Sequence, residues 1–278
     1  MQVPEPNKDF PAVKLAQGIH VMHAFYRIDR LRWTNLNRQE SEDVRARLEM
    51  LCAANNAPSH PRITTYANIC GKADLAVILY AAELGQIGQM HRDLEQCFPP
   101  GTVERVYSYL SVTELTDYMP TDDDNRRTLI EQEKLDPESE AFQKRWTELS
   151  KRKADYEHYR LYPEMPDWEV MAFYPMNKRR EGNDNWYMLD FPTRKRLMGG
   201  HARVGRKYAG RVSQLITGSV GLDDWEWGVT LVAHQTDALK EIVYEMRFDE
   251  VSARYGDFGP FYINLRLSPV PLWKHLHL

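Results

Sequence analysis

The sequence predicts an α+β fold in which one βαββαβ unit occurs twice, and three observations lead there. Apolar and aromatic runs of strand length alternate with amphipathic helical stretches. Each half of the chain repeats the same order of strand, helix, two strands, helix and strand. A polar stretch over 121–160 separates the halves. Such units suggest a duplicated ferredoxin-like fold, its helices covering one face of an antiparallel sheet. The expected boundaries are 15–120 for the first domain, 121–160 for the connector, 161–267 for the second domain and 268–278 for a tail.

The elements follow in order. Gly18–Asp29 is rich in apolar and aromatic residues and reads as a strand. Ser41 is placed to cap a helix, with Glu42 and Asp43 in a first turn that favours acids and Val44 and Leu48 beyond them. Ile63–Tyr80 holds two short apolar runs split by Gly71. Leu84 to Cys97 is helical and stops before Pro99-Pro100-Gly101, and Val106–Leu115 closes the unit as a strand. From Thr121 to about Tyr156, Glu and Lys dominate after Asp122-Asp123-Asp124, with too few apolar residues for a core. This reads as a solvated helical connector or a partly ordered linker. In the second half, Trp168–Met176 is a strand and Phe191–Gly210 a helix. Val212–Thr217 and Trp225–Ala233 form a hairpin around Gly218–Asp224. Leu239–Tyr255 is the second helix and Phe261–Leu267 the last strand. The proline-punctuated tail, Ser268 to Leu278, is either disordered or packs at an interface.

Composition narrows the function classes. The 278 residues, 42% hydrophobic, suffice for one large core or two smaller ones. A formal net charge of -4 gives no global sign of a nucleic-acid partner. Cys52, Cys70 and Cys97 show no paired metal spacing, and so low and odd a count suits a reducing cytosol. No apolar run approaches the roughly 20 residues that span a bilayer. The opening MQVPEPNKDF lacks the pattern of a signal peptide. The expectation is a soluble cytoplasmic protein without a membrane span.

Three places in the second half carry chemistry. Strand side chains alternate faces, so Val170, Ala172, Tyr174, Met176 and Lys178 share one face, which ends in a phenol, a thioether and an ammonium. Pro175 lacks a ladder donor and places this strand at an edge or a bulge. Such a face suits the lip of a pocket, or simply a core tyrosine beside a surface lysine. On the next helix, Leu197, His201, Val204 and Tyr208 fall on one face, behind Gly199 and Gly200. Each of those glycines costs about 0.5–1 kcal/mol in a helix relative to alanine, a cost that close approach of a flat ligand would explain. A neutral imidazole there can bind haem iron, or be a satisfied core histidine. Gln214 alternates with Val212 and Ile216 and needs polar partners, either on a ligand opposite His201 or in a neighbouring loop. Between 177 and 211 there are ten Lys and Arg against three acids, a local balance of +7, with Arg247 and Arg254 further on. This suggests a polyanionic ligand, against the plainer reading of a solvated helix face.

Several stretches then show a resemblance. Tyr174-Pro175-Met176-Asn177-Lys178-Arg179-Arg180, Asn185-Trp186-Tyr187-Met188-Leu189, Gly205-Arg206-Lys207-Tyr208-Ala209-Gly210, Gly221-Leu222-Asp223-Asp224-Trp225-Glu226-Trp227-Gly228 and the run from Tyr244 to Gly256 resemble the coproheme decarboxylases of the chlorite dismutase superfamily. The match is dense from Trp168 to Tyr262 and looser over 1–167. The resemblance implies two ferredoxin-like domains whose sheets form a barrel, a homopentamer, and an iron porphyrin bound in the second domain. It implies His201 as the iron ligand, Tyr174 as the tyrosine that reacts as a radical beside a propionate, and Lys178 as the lysine assisting at the second propionate. Met176 would line the pocket, Gln214 would be the distal glutamine, and Arg160, Arg206, Arg247 and Ser252 would hold propionates. The implied reaction is hydrogen-peroxide-dependent conversion of coproheme, both substrate and redox cofactor, into haem b, with possible transient contact with a coproporphyrin ferrochelatase. A chlorite dismutase, which needs a distal arginine where Gln214 stands, and a non-catalytic haem carrier or sensor are the alternatives.

Overall fold

The computed structural model describes residues 12–278. The first half begins with β1 (His20–Ile28), a short α1 (Arg30–Thr34) and α2 (Arg38–Ala54). It continues with β2 (Arg62–Asn68), β3 (Leu75–Ala81), α3 (Leu84–Gln96) and β4 (Val103–Thr113). Here β2, β3, β1 and β4 neighbour one another in that order. The connecting segment is ordered and helical. It forms α4 (Asp122–Arg127), a π-turn over Thr128–Gln132 and the 22-residue α5 (Glu140–Leu161). The second half contributes β5 (Val170–Lys178), a two-residue pair β6 (Arg180–Glu181) and β7 (Asp184–Asn185), and a 3-10 turn over Trp186–Met188. Then come α6 (Phe191–Arg206), β8 (Val212–Gly218), β9 (Trp227–Ala233), α7 (Thr236–Met246) and α8 (Glu250–Tyr255). The chain ends with β10 (Gly256–Phe258), β11 (Tyr262–Arg266) and α9 (Pro269–Leu276).

In the second half β8, β9, β5 and β11 are neighbours, the same relative order as in the first. The two sheets join where β2 pairs with β11 and β4 with β8, so one antiparallel sheet closes into a ring. This is the α+β duplication that the sequence predicts. Period-2 alternation sorts the strand residues. Phe25, Tyr80, Tyr109, Met171, Phe173 and Tyr262 pack inside the ring. Val170, Ala172, Tyr174, Val212, Val229 and Leu231 face outward and pack with Leu239 and Ile242 of α7 and with Tyr208 beyond α6.

Two local expectations change, and two that were open are decided. The first helix starts earlier: Asn37, not Ser41, is its cap, in a reciprocal capping box with Glu40. The second helix of the repeat breaks after Met246, because Asp249 accepts from the N–H groups of Val251 and Ser252 and starts α8. Pro175 takes the bulge of its two expected places, not an edge, since β5 pairs on both sides: three residues between the pairs of Phe258 with Met176 and of Tyr262 with Phe173 face two of β5 there. Of its two expected forms the tail takes the packed one: Leu272, Trp273 and Leu276 of α9 are buried in the core of the first half, where Trp273 stacks on Trp33 at 5.8 Å.

Candidate functional site

The outward face of β5 leads to the site. Tyr174 is 4% exposed and packs on Phe261 at 4.3 Å between ring centroids and on Phe258 at 6.0 Å. Burial pushes its phenol up to about 12, with Arg247 pulling the other way. Arg247 lies with its guanidinium 3.7 Å from the centre of the Phe258 ring. Four residues along β5, Lys178 is also buried, its ammonium 4.7 Å from the centre of the Trp186 ring. Burial pushes this amine down to about 8, against the opposing charges of Asp249 and Glu226. Met176, between Tyr174 and Lys178 on that face, is half-buried.

Asp249 ties this face to the helix of His201. Its Oδ2 stands 3.0 Å from Nδ1 of His201 and accepts from the Ser252 hydroxyl at 3.0 Å, while its Oδ1 caps α8. Burial raises the carboxyl's pKa, but the hydrogen bonds and charge of His201 and the Ser252 donors outweigh it and hold the group below the usual range. A carboxylate only accepts, so Nδ1 carries a proton and Nε2 is the ring nitrogen left for a ligand. His201 makes no other hydrogen bond among the described residues. A methyl group at Gly199 or Gly200 would meet nothing within 4 Å, so protein packing does not demand these glycines. Gly199 lies on the exposed side of α6, leaving Gly200 on the side of His201. One imidazole backed by a carboxylate, beside a glycine in the same helical turn, is a donor set that fits an iron porphyrin.

A second cluster forms on β8. Arg160 of α5 donates to the carbonyls of Ile216 at 3.3 Å and Glu114 at 3.4 Å, and its buried Nε has no partner. Tyr159, Arg160, Pro163, Gln214, Leu215 and Ile216 line a narrow crevice there. Gln214 donates to the Gly205 carbonyl of α6 at 3.5 Å, so the partner it finds is the helix that carries His201. Asp249 thus joins His201 to Ser252 and faces the charge of Lys178, Arg247 lies close enough to Tyr174 to act on its phenol, Arg160 and Gln214 line one crevice, and Arg206 stands exposed on the last turn of α6. The local excess of positive charge is partly compensated by acids from elsewhere. Lys195 pairs with Asp124, Lys207 with Glu245, Arg211 with Glu241 and Arg180 with Glu226. Arg179, Arg196, Arg203 and Arg206 have no ion-pair partner among the described residues. Sequence reasoning missed Asp249 and Trp186. The available signal for the first was an aspartate ahead of Glu250-Val251-Ser252, a cap pattern hidden inside an apparently continuous helix.

The model of the chlorite dismutase family matches residues 39–267, most of the chain. The chain belongs to the chlorite dismutase family. A haem-binding protein from Thermus thermophilus is 37% identical, with a TM-score of 0.77 over 96% of this chain and 98% of that one. A chlorite dismutase from Candidatus Nitrospira defluvii, solved with imidazole, shares the fold at 16% identity, with a TM-score of 0.69 over 95% of this chain and 97% of that one. Chlorite dismutase family membership supports a haem-related function. Among the described residues no helix is long and apolar enough to cross a membrane.

Proposed function

We propose that this member of the chlorite dismutase family is a coproheme decarboxylase, which converts two propionates of coproheme to vinyl groups with hydrogen peroxide and so makes haem b. The observation that carries this reading is a buried phenol and a buried amine on one face of β5, beside the histidine–aspartate pair. A non-catalytic haem carrier would need the pair without them. A chlorite dismutase would need an arginine where Gln214 stands.

Each round balances as follows. A propionate, one hydrogen peroxide and one proton give a vinyl group, carbon dioxide and two waters. The iron porphyrin, as substrate, supplies the peroxide chemistry when bound. The protein supplies the rest. His201 holds the iron through Nε2, with Asp249 fixing the ring and its tautomer. Tyr174 stays protonated at neutral pH and so has a hydrogen atom, proton and electron together, to give up and to regain from the propionate's β-carbon. Lys178, at about 8, is mostly charged at neutral pH yet close enough to titration to move a proton at the second propionate. Arg247, Arg206 and Arg160 are the carboxylate-binding cations, and Met176 lines the pocket. Ser252 is engaged with Asp249, which favours a positioning role alongside any propionate contact. Residues 161–267 are the porphyrin-binding unit on this reading, and a reaction that inserts iron into coproporphyrin must supply the substrate.

Purified protein is expected to take up coproheme with a histidine-ligated ferric spectrum, and His201→Ala to alter it. Asp249→Asn should leave the iron bound but shift the spectrum, because the imidazole loses its carboxylate acceptor. An unchanged His201→Ala spectrum would take that residue out of the role. Porphyrin mass after limited peroxide tests the reaction: haem b supports the decarboxylase, and unchanged coproheme leaves a carrier. The assembly proposed by family resemblance is a homopentamer, and light scattering at working concentration should return five times the 32.6 kDa chain mass. A monomer mass would end that proposal.

A further inference from the structure

We propose that Phe258 and Phe261 confine the oxidised state of Tyr174, keeping it on the one phenol that faces the substrate. The inference rests on the radical role given to Tyr174 above. The chain has 15 tyrosines and seven tryptophans against nine phenylalanines, so a ring taken at random is usually an oxidisable one. Both rings in contact with Tyr174 nevertheless belong to phenylalanine: Phe261 stacked at 4.3 Å with 26° between planes, and Phe258 at 6.0 Å. Both are half-buried.

A phenol gives up an electron readily because it can lose a proton with it. Phenylalanine has no such proton, and its ring resists oxidation at potentials where tyrosine and tryptophan yield. The layer behind the sheet is guarded in the same way. Phe173, next to Tyr174 in β5, faces the ring interior and separates it from Tyr107, Tyr109 and Tyr262, which pack around Phe173 at 5.5–6.5 Å. The hydroxyl of Tyr107 is buried without a partner, so oxidation there would strand a proton with no acceptor. The guanidinium of Arg247 above Phe258 adds a positive charge that further disfavours a cationic ring at that position. With no tyrosine or tryptophan in ring contact with Tyr174 among the described residues, the nearest outlet of an oxidised Tyr174 is the hydrogen of the substrate.

The test places an oxidisable ring where the structure has none. In Phe261→Tyr, an oxidised Tyr174 can take a hydrogen atom from the new phenol, which returns Tyr174 to its resting form and leaves the hole at position 261. Full-length protein loaded with coproheme receives limited peroxide, and product per peroxide is counted alongside the electron paramagnetic resonance signal of frozen samples. Phe261→Tyr should lower the yield roughly twofold or more, since two phenols of equal potential share one hole evenly. The double variant Tyr174→Phe with Phe261→Tyr should show a tyrosyl signal that Tyr174→Phe alone lacks. Phe261→Leu should keep the wild-type yield, because leucine is as inert as phenylalanine. An unchanged yield and signal in Phe261→Tyr would overturn confinement, and so would an equal loss in Phe261→Leu, which would point to packing. If wild-type yield proves independent of Tyr174, the radical reading itself falls and confinement with it, a result distinct from either of those.

Discussion

Tyr174→Phe is expected to fold, bind coproheme and react with peroxide, yet release no carbon dioxide. The phenol makes no hydrogen bond with any described residue, and the ring stacks on Phe261 and packs tilted against Phe258. Removing one oxygen should therefore leave stability within about 0.5 kcal/mol of wild type. The chemistry should respond far more. With no exchangeable hydrogen at the ring, the step that opens the propionate has no acceptor, and the rate should fall by at least about 1,000-fold, near 4 kcal/mol of barrier. Carbon dioxide release and porphyrin mass, measured on protein with a normal melting temperature, read this directly. Haem b formed at the normal rate by Tyr174→Phe would remove the radical role, whatever else the site does.

The fold was legible because each half repeats the same alternation, and alternation survives without knowledge of pairing. Closure of the sheet was not legible from periodicity. It depends on β2 meeting β11 and β4 meeting β8, contacts between residues nearly 200 and about 105 positions apart that leave no local pattern. The connector read as a solvated helix or a partly ordered linker, and the helix is what forms. Its order comes from side-chain pairs on a polar surface: Arg145 bridges Glu133 and Glu148, Phe142 stacks on Trp146, and Lys153 reaches Asp122 of α4. Such contacts look like solvated charge in sequence. The tail stayed open between disorder and packing, because its partner Trp33 lies at the other end of the chain.

At the site, the strand face was readable and its neighbours were not. Period 2 put Tyr174, Met176 and Lys178 together, and helical spacing put His201 on an apolar face. The acid that holds His201 comes from a cap 48 residues later, so only the break between α7 and α8 brings Asp249 into reach. Local charge counting overstated the case, because acids such as Asp124 and Glu245 arrive from other elements to neutralise Lys195 and Lys207.

Lys178 should fail differently from Tyr174. The two lie four residues apart on one strand face, so about 13 Å separates their α-carbons at roughly 3.3 Å per residue. That span lets them serve different propionates. Lys178→Ala is expected to allow the first decarboxylation and stall before the second, so that the three-propionate species accumulates. In wild-type protein the second step should slow as pH rises through about 8, where the buried amine loses its charge, or somewhat higher once a carboxylate lies beside it. Burial of this amine also has a stability signature. Its folded value, about 8, lies below the ordinary 10.5. Below pH 8 both folded and unfolded chains hold the proton, and the folded state bears the whole cost of the buried charge. As pH rises to 10.5 the folded chain has already released its proton, and the cost disappears. Lys178→Met should therefore stabilise the protein at pH 7 by up to about 3 kcal/mol, at 1.36 kcal/mol per pKa unit, with the gain fading by pH 10. A variant that melts higher and stalls at three propionates marks Lys178 as a residue kept for reaction at the expense of stability. Equal melting at pH 7 and 10 would contradict the buried charge, and haem b made without build-up of the intermediate would contradict the assignment to the second step.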